Sequence, residues 1–259
     1  MNLSLALAVS SALAGLALWK KALTLWGTIL AWGMSLAICV LGGIPAFLIL
    51  AVTFLLTVAA DKIAGRQADP KGLRRKSGRR DAVRVVCNVG VGSAMILLYG
   101  ILGETRFLFA YAAVMAESLS DSLASKLGPL GKRKTVDICT FRETDVGLSG
   151  GVSFAGSAAA ALGAILIGAL CLLFPVSDGK TALLVAAIGF AGCLFDSVLG
   201  SLAQVKYRCP VCGVLSERER HCGIPGEIVR GLRPINNDAV NLLSNLFSGG
   251  MAILLLVGY

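Results

Sequence analysis

Charge is scarce in this chain. Asp, Glu, Lys and Arg make up 15% of its 259 residues, against about 25% in soluble domains, and that shortfall excludes an ordinary water-soluble globule. Hydrophobic residues reach 56% and the mean hydropathy is +0.79, which places the chain in the integral-membrane class. Basic residues are missing from the very start. "MNLSLALAVSS" has no Lys or Arg ahead of the first apolar run, and Lys20 and Lys21 come after it, so the segment is not built like a secretory signal and reads as a retained span. Walker A and dinucleotide fingerprints are also lacking, so a nucleotide site cannot rest on either.

What the chain does contain is apolar runs near the ~20 residues that a bilayer core requires. Eight can be marked: 3–19, 22–41, 44–60, 85–102, 107–127, 151–174, 181–203 and 239–257. They predict an all-α polytopic transmembrane bundle of seven to eight spans, forming one integral membrane domain over 1–259. The runs at 3–19 and 44–60 are short enough to be tilted or re-entrant. The run at 107–127 is interrupted by Glu117, Ser118, Ser120, Asp121, Ser122 and Ser125.

Lys and Arg are distributed unevenly between the two sides. With the N-terminus outside, all of the 24 except Arg106 and Lys180 fall on one side, which the positive-inside rule makes cytoplasmic. Both termini are then outside, and 205–237 is a cytoplasmic loop. Topology, and attraction to anionic inner-leaflet lipid, suffice for the basic run "KGLRRKSGRR", so the net charge of +9 needs no nucleic-acid partner. The expected location is the plasma membrane of a prokaryote.

The carboxylates are more informative. Glu117 and Asp121 are four residues apart and share one helix face, with Ser118, Ser122 and Ser125 on or beside it. Asp196, followed by Ser197, lies seven residues before Ala203, which is about 10 Å from the cytoplasmic end of its helix. A carboxylate within a span is costly, so it normally faces a cavity or a partner. The bland alternative is simple pairing with Lys126, Arg142 or backbone groups. Carboxylates facing basic loops from neighbouring helices also suit Mg²⁺, which takes one or two of them and completes its shell with water and phosphate.

Two further stretches are polar. In "TFRETDVGLSGGVSFAG", Gly147, Gly150 and Gly151 stand beside Ser149 and Ser153 at a helix start, offering N–H groups and hydroxyls to an anion, or simply a cap and close packing. In "PINNDAVNLLSN", Asn236, Asn237 and Asp238 can cap a helix, and Asn241 and Asn245 extend a polar stripe into it. Cys209 and Cys212 form a C-x-x-C-G knuckle in the 205–237 loop, and His221 with Cys222 can complete a four-ligand structural zinc site. Free or redox-active thiols are the alternative there.

Together, "YAAVMAESLSDSLASKLG", "TFRETDVGLSGGVSFAG", "FDSVLGSLAQ" and "RHCGIPGEIVRGLRPINNDAVNLLSN" resemble the DUF92 family of integral membrane proteins, which includes eukaryotic transmembrane protein 19 and the plant chloroplast phytyl-phosphate kinase. The likeness extends to "KKALTLWGTILAWGMS" and "GRRDAVRVVCNVGVG" and so covers most of the chain. It implies a Mg²⁺-dependent kinase that passes a phosphoryl group from a nucleoside triphosphate, CTP being favoured, to a prenyl monophosphate such as phytyl or geranylgeranyl phosphate. The positions carried over are Glu117, Asp121, Ser125, Thr140, Arg142, Gly147, Gly150, Gly151, Ser153, Asp196, Ser197, Gln204, Asn237, Asp238 and Asn241. Lys126 departs from a Glu common in relatives and Ser149 from a Thr. The expected arrangement has Glu117, Asp121 and Asp196 as the catalytic carboxylates, the latter two holding Mg²⁺. Arg142 and the glycine turn with Ser149 would bind donor phosphates. Two other classes stay open: a transporter or flippase, which would bind substrate without consuming nucleotide, and a CTP-dependent cytidylyltransferase, which would release pyrophosphate.

Overall fold

The computed structural model describes residues 2–65, 79–131 and 133–256. Five residues of the basic run between Lys62 and Arg84 (Arg66, Lys71, Arg74, Arg75 and Lys76) lie outside them. Seven helices are formed among the described residues: α1 (Leu3–Trp19), α2 (Leu25–Ala64), α3 (Ala82–Leu102), α4 (Thr105–Leu127), α5 (Phe154–Cys171), α6 (Gly179–Leu202) and α7 (Asn237–Leu255). Five of them, α2, α3, α5, α6 and α7, are long and apolar enough to cross a membrane. The other two fall short for different reasons: α1 has 17 residues, and α4 carries Glu117 and Asp121.

Two of the expected spans, 22–41 and 44–60, are the limbs of α2. A straight helix of 40 residues would be about 60 Å long. Here the chain reverses at Gly43, whose φ of 75° and ψ of −171° are open to glycine and not to side-chain-bearing residues, and Pro45 starts the second limb. The reversal is visible at the far ends. Asp61 near the end of α2 pairs with Arg80, whose backbone bonds to Ala22 and Thr24 just before α2 begins. Ala31 and Met34 of the first limb and Phe54 of the second all pack against one buried cluster, Ala17, Leu23 and Val85.

α4 is the axis of the bundle. From Phe107 to Ser120 every residue is buried, because small side chains let neighbours close in on all sides. Ala110, Ala112, Ala113 and Ala116 are matched by Gly92 on α3, Gly163 on α5 and Gly189 on α6. A Cβ on Gly189 would sit 2.4 Å from that of Ala116. Large apolar side chains point the other way, out of the bundle: Ile101, Leu162, Leu183 and Leu254 are exposed, as a lipid-facing belt requires. Tyr111, fully buried, donates its hydroxyl to the Ala46 carbonyl at 2.7 Å.

One end of the bundle carries extra structure. Between α4 and α5 the chain forms a small antiparallel pair, β1 (Val136–Asp137) with β2 (Gly151–Val152). Between α6 and α7, where a loop carrying a cysteine knuckle is expected over 205–237, lie β3 (Lys206–Arg208), β4 (Leu215–Ser216), β5 (Arg220–His221), β6 (Ile224–Pro225) and β7 (Glu227–Arg230). They form a three-stranded sheet of order β4-β3-β7 and a hairpin, β5 with β6. Strands this short carry little periodic signal, which is why patterning alone missed them.

Candidate functional site

The carboxylates converge at the end of the bundle that carries the small sheets. Glu117 is buried against α7, where Ser244 Oγ lies 2.7 Å from its Oε1 and also 3.2 Å from Asp196 Oδ2, so one hydroxyl links the carboxylates of α4 and α6. Ser118 reaches from α4 to Asn245 on α7 at 3.1 Å. With its amide nitrogen turned toward α6, Asn241 donates to Asp196 Oδ2 at 3.3 Å. Along the stripe, Asn241 and Asn245 therefore meet protein groups, while Asn237 lines the cavity described below. Asn245 donates to the Cys87 carbonyl at 2.8 Å. That carbonyl belongs to a π-helical turn, Val86–Gly90, inside α3. The widened turn loosens the regular helical pairing, and its carbonyls are taken by side chains, Cys87 by Asn245 and Asn88 by Ser118.

A cavity of about 900 Å³ opens beside these groups. Asp121 and Asp196 line it, with Ser125, Gly147, Ser149, Gly150, Gly151, Ser153, Ser197, Gln204, Asn237, Asp238 and Asn241. Three expected residues lie elsewhere. Glu117 is behind the wall, reaching Asp196 through Ser244. Thr140 is exposed and gives its hydroxyl to Asp137, and Arg142 is exposed on the same loop outside the cavity.

The glycine turn differs from the open cradle read from its composition. Ser149 N–H is accepted by the Glu217 carboxylate and Gly151 N–H by the Leu148 carbonyl, so both donors are taken. The glycines serve close approach instead. Gly150 has φ +86°, and a Cβ there would lie 2.6 Å from the Ser201 backbone, so the turn rests directly on the end of α6. Ser153 caps α5, accepting from Gly156 N–H at 3.2 Å. Asp137 is held nearby by the Ser201 hydroxyl at 2.8 Å and by the N–H groups of Cys139 and Thr140. Burial would raise its carboxyl, but these donors outweigh it and set it below the usual range. Lys206, mostly buried, donates to the Ser149 carbonyl at 2.8 Å. Burial pulls its ammonium below the ordinary lysine range, opposed by Glu217 and Asp137.

Of the cavity's cations, Lys126 is marked in the sequence only as a pairing candidate, and Arg80 and Arg84 only as part of a basic run. Arg80 and Lys126 both reach Asp61, at 2.6 and 3.1 Å, and Arg84 lies 3.8 Å from Asp238. All of these line the cavity, as do Asn88 and Glu217. No motif marks them, since α2, α3 and the β4–β5 connection meet only after folding. Gln204, expected here from resemblance, is 2% exposed, and its Nε2 has no hydrogen-bond partner. A buried amide left unpaired costs about 1–3 kcal/mol, so this donor points to a ligand or water.

A second, apolar slot adjoins the first cavity. It is walled by Leu13, Ala14 and Ala17 of α1 and by Trp32, Leu50 and Phe54 of α2, and it shares Arg80, Arg84, Asn88 and Ser122 with the polar cavity. A polar chamber and an apolar slot thus meet at two arginines.

The family profile described as integral membrane protein DUF92 matches residues 8–249. The chain belongs to the DUF92 family. Among DUF92 relatives, an uncharacterized membrane protein of Methanocaldococcus jannaschii is 29% identical over 78% of this chain and 76% of its own length. Protein PGR of Arabidopsis thaliana is 28% identical over 67% of this chain and 68% of its own. The chloroplastic protein VTE6 of the same plant is 24% identical over 82% of this chain, which spans 59% of that protein's length. No solved structure matches this DUF92 chain.

Proposed function

We propose that this DUF92 protein is a membrane prenyl-phosphate kinase, transferring a phosphoryl group from a nucleoside triphosphate, CTP by preference, to an isoprenyl monophosphate. The observation that carries the reading is the junction of the two cavities. A lipid monophosphate has a dianionic head and an apolar tail, and Arg80 and Arg84 stand where a polar chamber large enough for a nucleotide meets a slot lined by Leu, Ala, Phe and Trp. The likeness to VTE6, with the phytyl-phosphate kinase resemblance of the sequence motifs, supports the same chemistry. We place the protein in a prokaryotic plasma membrane with the carboxylate-bearing end toward the cytoplasm.

The donor set fits Mg²⁺: Asp121 and Asp196 offer hard oxygens to one cavity from two adjacent helices. When bound there, the ion would neutralise charge on the donor phosphates. The chain's own residues do the rest. Ser244 and Asn241 fix the Asp196 carboxylate, and Glu117 anchors Ser244 from behind. Gln204 offers its unpaired N–H groups to a phosphate or to the nucleotide. Arg84 and Arg80 hold the acceptor head in line. The attacking oxygen belongs to a phosphate that is already anionic, so no general base is required and catalysis is mostly alignment and charge neutralisation.

The test is turnover by detergent-purified protein, with Mg²⁺, a panel of prenyl monophosphates, and CTP, UTP, ATP and GTP. Prenyl diphosphate and nucleoside diphosphate should form in equal amounts. Release of pyrophosphate would mean a cytidylyltransferase, and substrate binding without nucleotide consumption would mean a transporter. Ser244→Ala should lower turnover by about 10- to 100-fold, the usual cost of removing a group that orients a metal-binding carboxylate, with thermal unfolding changed little.

A further inference from the structure

The loop between α6 and α7 carries a second group of chemistry-bearing residues, away from the carboxylates. Cys209, Cys212, His221 and Cys222 come together so that one ligand atom from each lies within 4.8 Å of all the others. The closest separations are 3.3 Å from Cys212 Sγ to His221 Nδ1, 3.3 Å from Cys222 Sγ to the same nitrogen, and 3.8 Å from Cys222 Sγ to Cys212 Sγ. A tetrahedral zinc, with Zn–S of about 2.3 Å and Zn–N of about 2.0 Å, sets its ligand atoms about 3.5 to 3.8 Å apart. Cys212, His221 and Cys222 already stand close to that spacing, and Cys209 Sγ lies within 4.8 Å of each of their ligand atoms.

The backbone shows how this is achieved. At the knuckle, Gly213 has φ +69° and its N–H bonds to the Cys209 carbonyl at 2.8 Å, which folds Cys212 back beside Cys209. Adjacent ligands such as His221 and Cys222 would ordinarily diverge. Here Cys222 is in the left-handed region at φ +52°, rare for a residue with a Cβ, and Gly223 follows at +80°. This tight turn of the β5–β6 hairpin brings both side chains to one point. Strain of this kind persists where something else holds the residue in place. All three cysteines are free thiols rather than a disulfide.

We infer that Cys209, Cys212, His221 and Cys222 form a closed structural zinc site that braces the glycine turn of the cavity. Four protein ligands leave no open position for substrate, so the metal's part is to hold the loop. The two residues that clamp Ser149, Lys206 through its carbonyl and Glu217 through its N–H, flank the site, one on β3 just before Cys209 and the other in the β4–β5 connection between the two ligand pairs. Tying the knuckle to the β5–β6 hairpin therefore fixes both ends of that clamp. The inference stands whatever reaction the cavity performs.

The test uses the full chain, purified in detergent without chelator from zinc-supplemented cells. Elemental analysis should find one zinc per chain, falling to none in Cys212→Ser, and Co²⁺ exchanged into the wild type should give the intense d–d bands of a tetrahedral thiolate site. Removing the metal should raise amide exchange in residues 145–151 while leaving the α4 core protected. Folded wild-type protein without stoichiometric zinc, a disulfide among these cysteines, or zinc that persists in Cys212→Ser would overturn the assignment. The elemental readout needs no turnover, so a failed kinase assay would leave it standing.

Discussion

Asp121→Asn and Asp196→Asn should each reduce turnover in the proposed prenyl-phosphate kinase reaction by at least about 100-fold, the scale seen when a single electrostatic contact to a transferring group is lost. Each replaces an anionic oxygen pair with a neutral amide of the same size, so shape and helix packing stay the same while the cavity loses one charge. Both side chains line the same cavity from adjacent helices, so their effects should be far from additive: the double variant should be little worse than either single. Raising Mg²⁺ should recover part of the loss in the single variants if binding is what fails. Unchanged turnover in either variant, with the protein folded, would remove that carboxylate from the site. Glu117→Gln should be milder, because Glu117 lies behind the wall and reaches the cavity only through Ser244.

The second large effect is expected on folding. Gly192→Leu should abolish recovery of monodisperse protein from detergent extracts, measured by size exclusion and thermal unfolding. Even a Cβ at Gly192 would lie 2.0 Å from Ser248 Oγ on α7 and 2.7 Å from Glu117 Cγ on α4. Overpacking a filled core typically costs about 1–3 kcal/mol, and a whole isobutyl group at a three-helix junction goes beyond that. Gly179→Leu is the control, since nothing lies within 4 Å of a Cβ there. Normal yield of Gly192→Leu would show that α4, α6 and α7 do not meet as described.

The sequence reveals the bundle because bilayer thickness imposes its period on any spanning helix, and it reveals Asp121 and Asp196 because a carboxylate in an apolar run is conspicuous. Other features are less visible. The reversal at Gly43 shows only as the gap at "GGIP" that parts the expected spans 22–41 and 44–60, since the chain is apolar on both sides of it. Arg80, Arg84 and Asp61 look like ordinary loop charges until α2 and α3 bring them to the cavity. The glycine turn admits two readings for the same reason. Its composition suits an anion cradle, and nothing local shows that Glu217, 68 residues away in sequence, takes one of its N–H groups. The clustering of Cys209, Cys212, His221 and Cys222 is legible because their spacing along the chain is itself a local property.

The pairing of Asp61 with both Arg80 and Lys126 bears on how a nucleotide would arrive in the proposed reaction. Asp61, Asp121, Asp196, Glu217 and Asp238 face Arg80, Arg84, Lys126 and Arg218 around one chamber, which leaves it close to electroneutral. Such a chamber casts little long-range field toward solvent and does not steer a bare polyanion inward. In the proposed reaction a triphosphate would enter at low cost only as a complex with its counter-cation, whose remaining coordination positions the two central aspartates could fill.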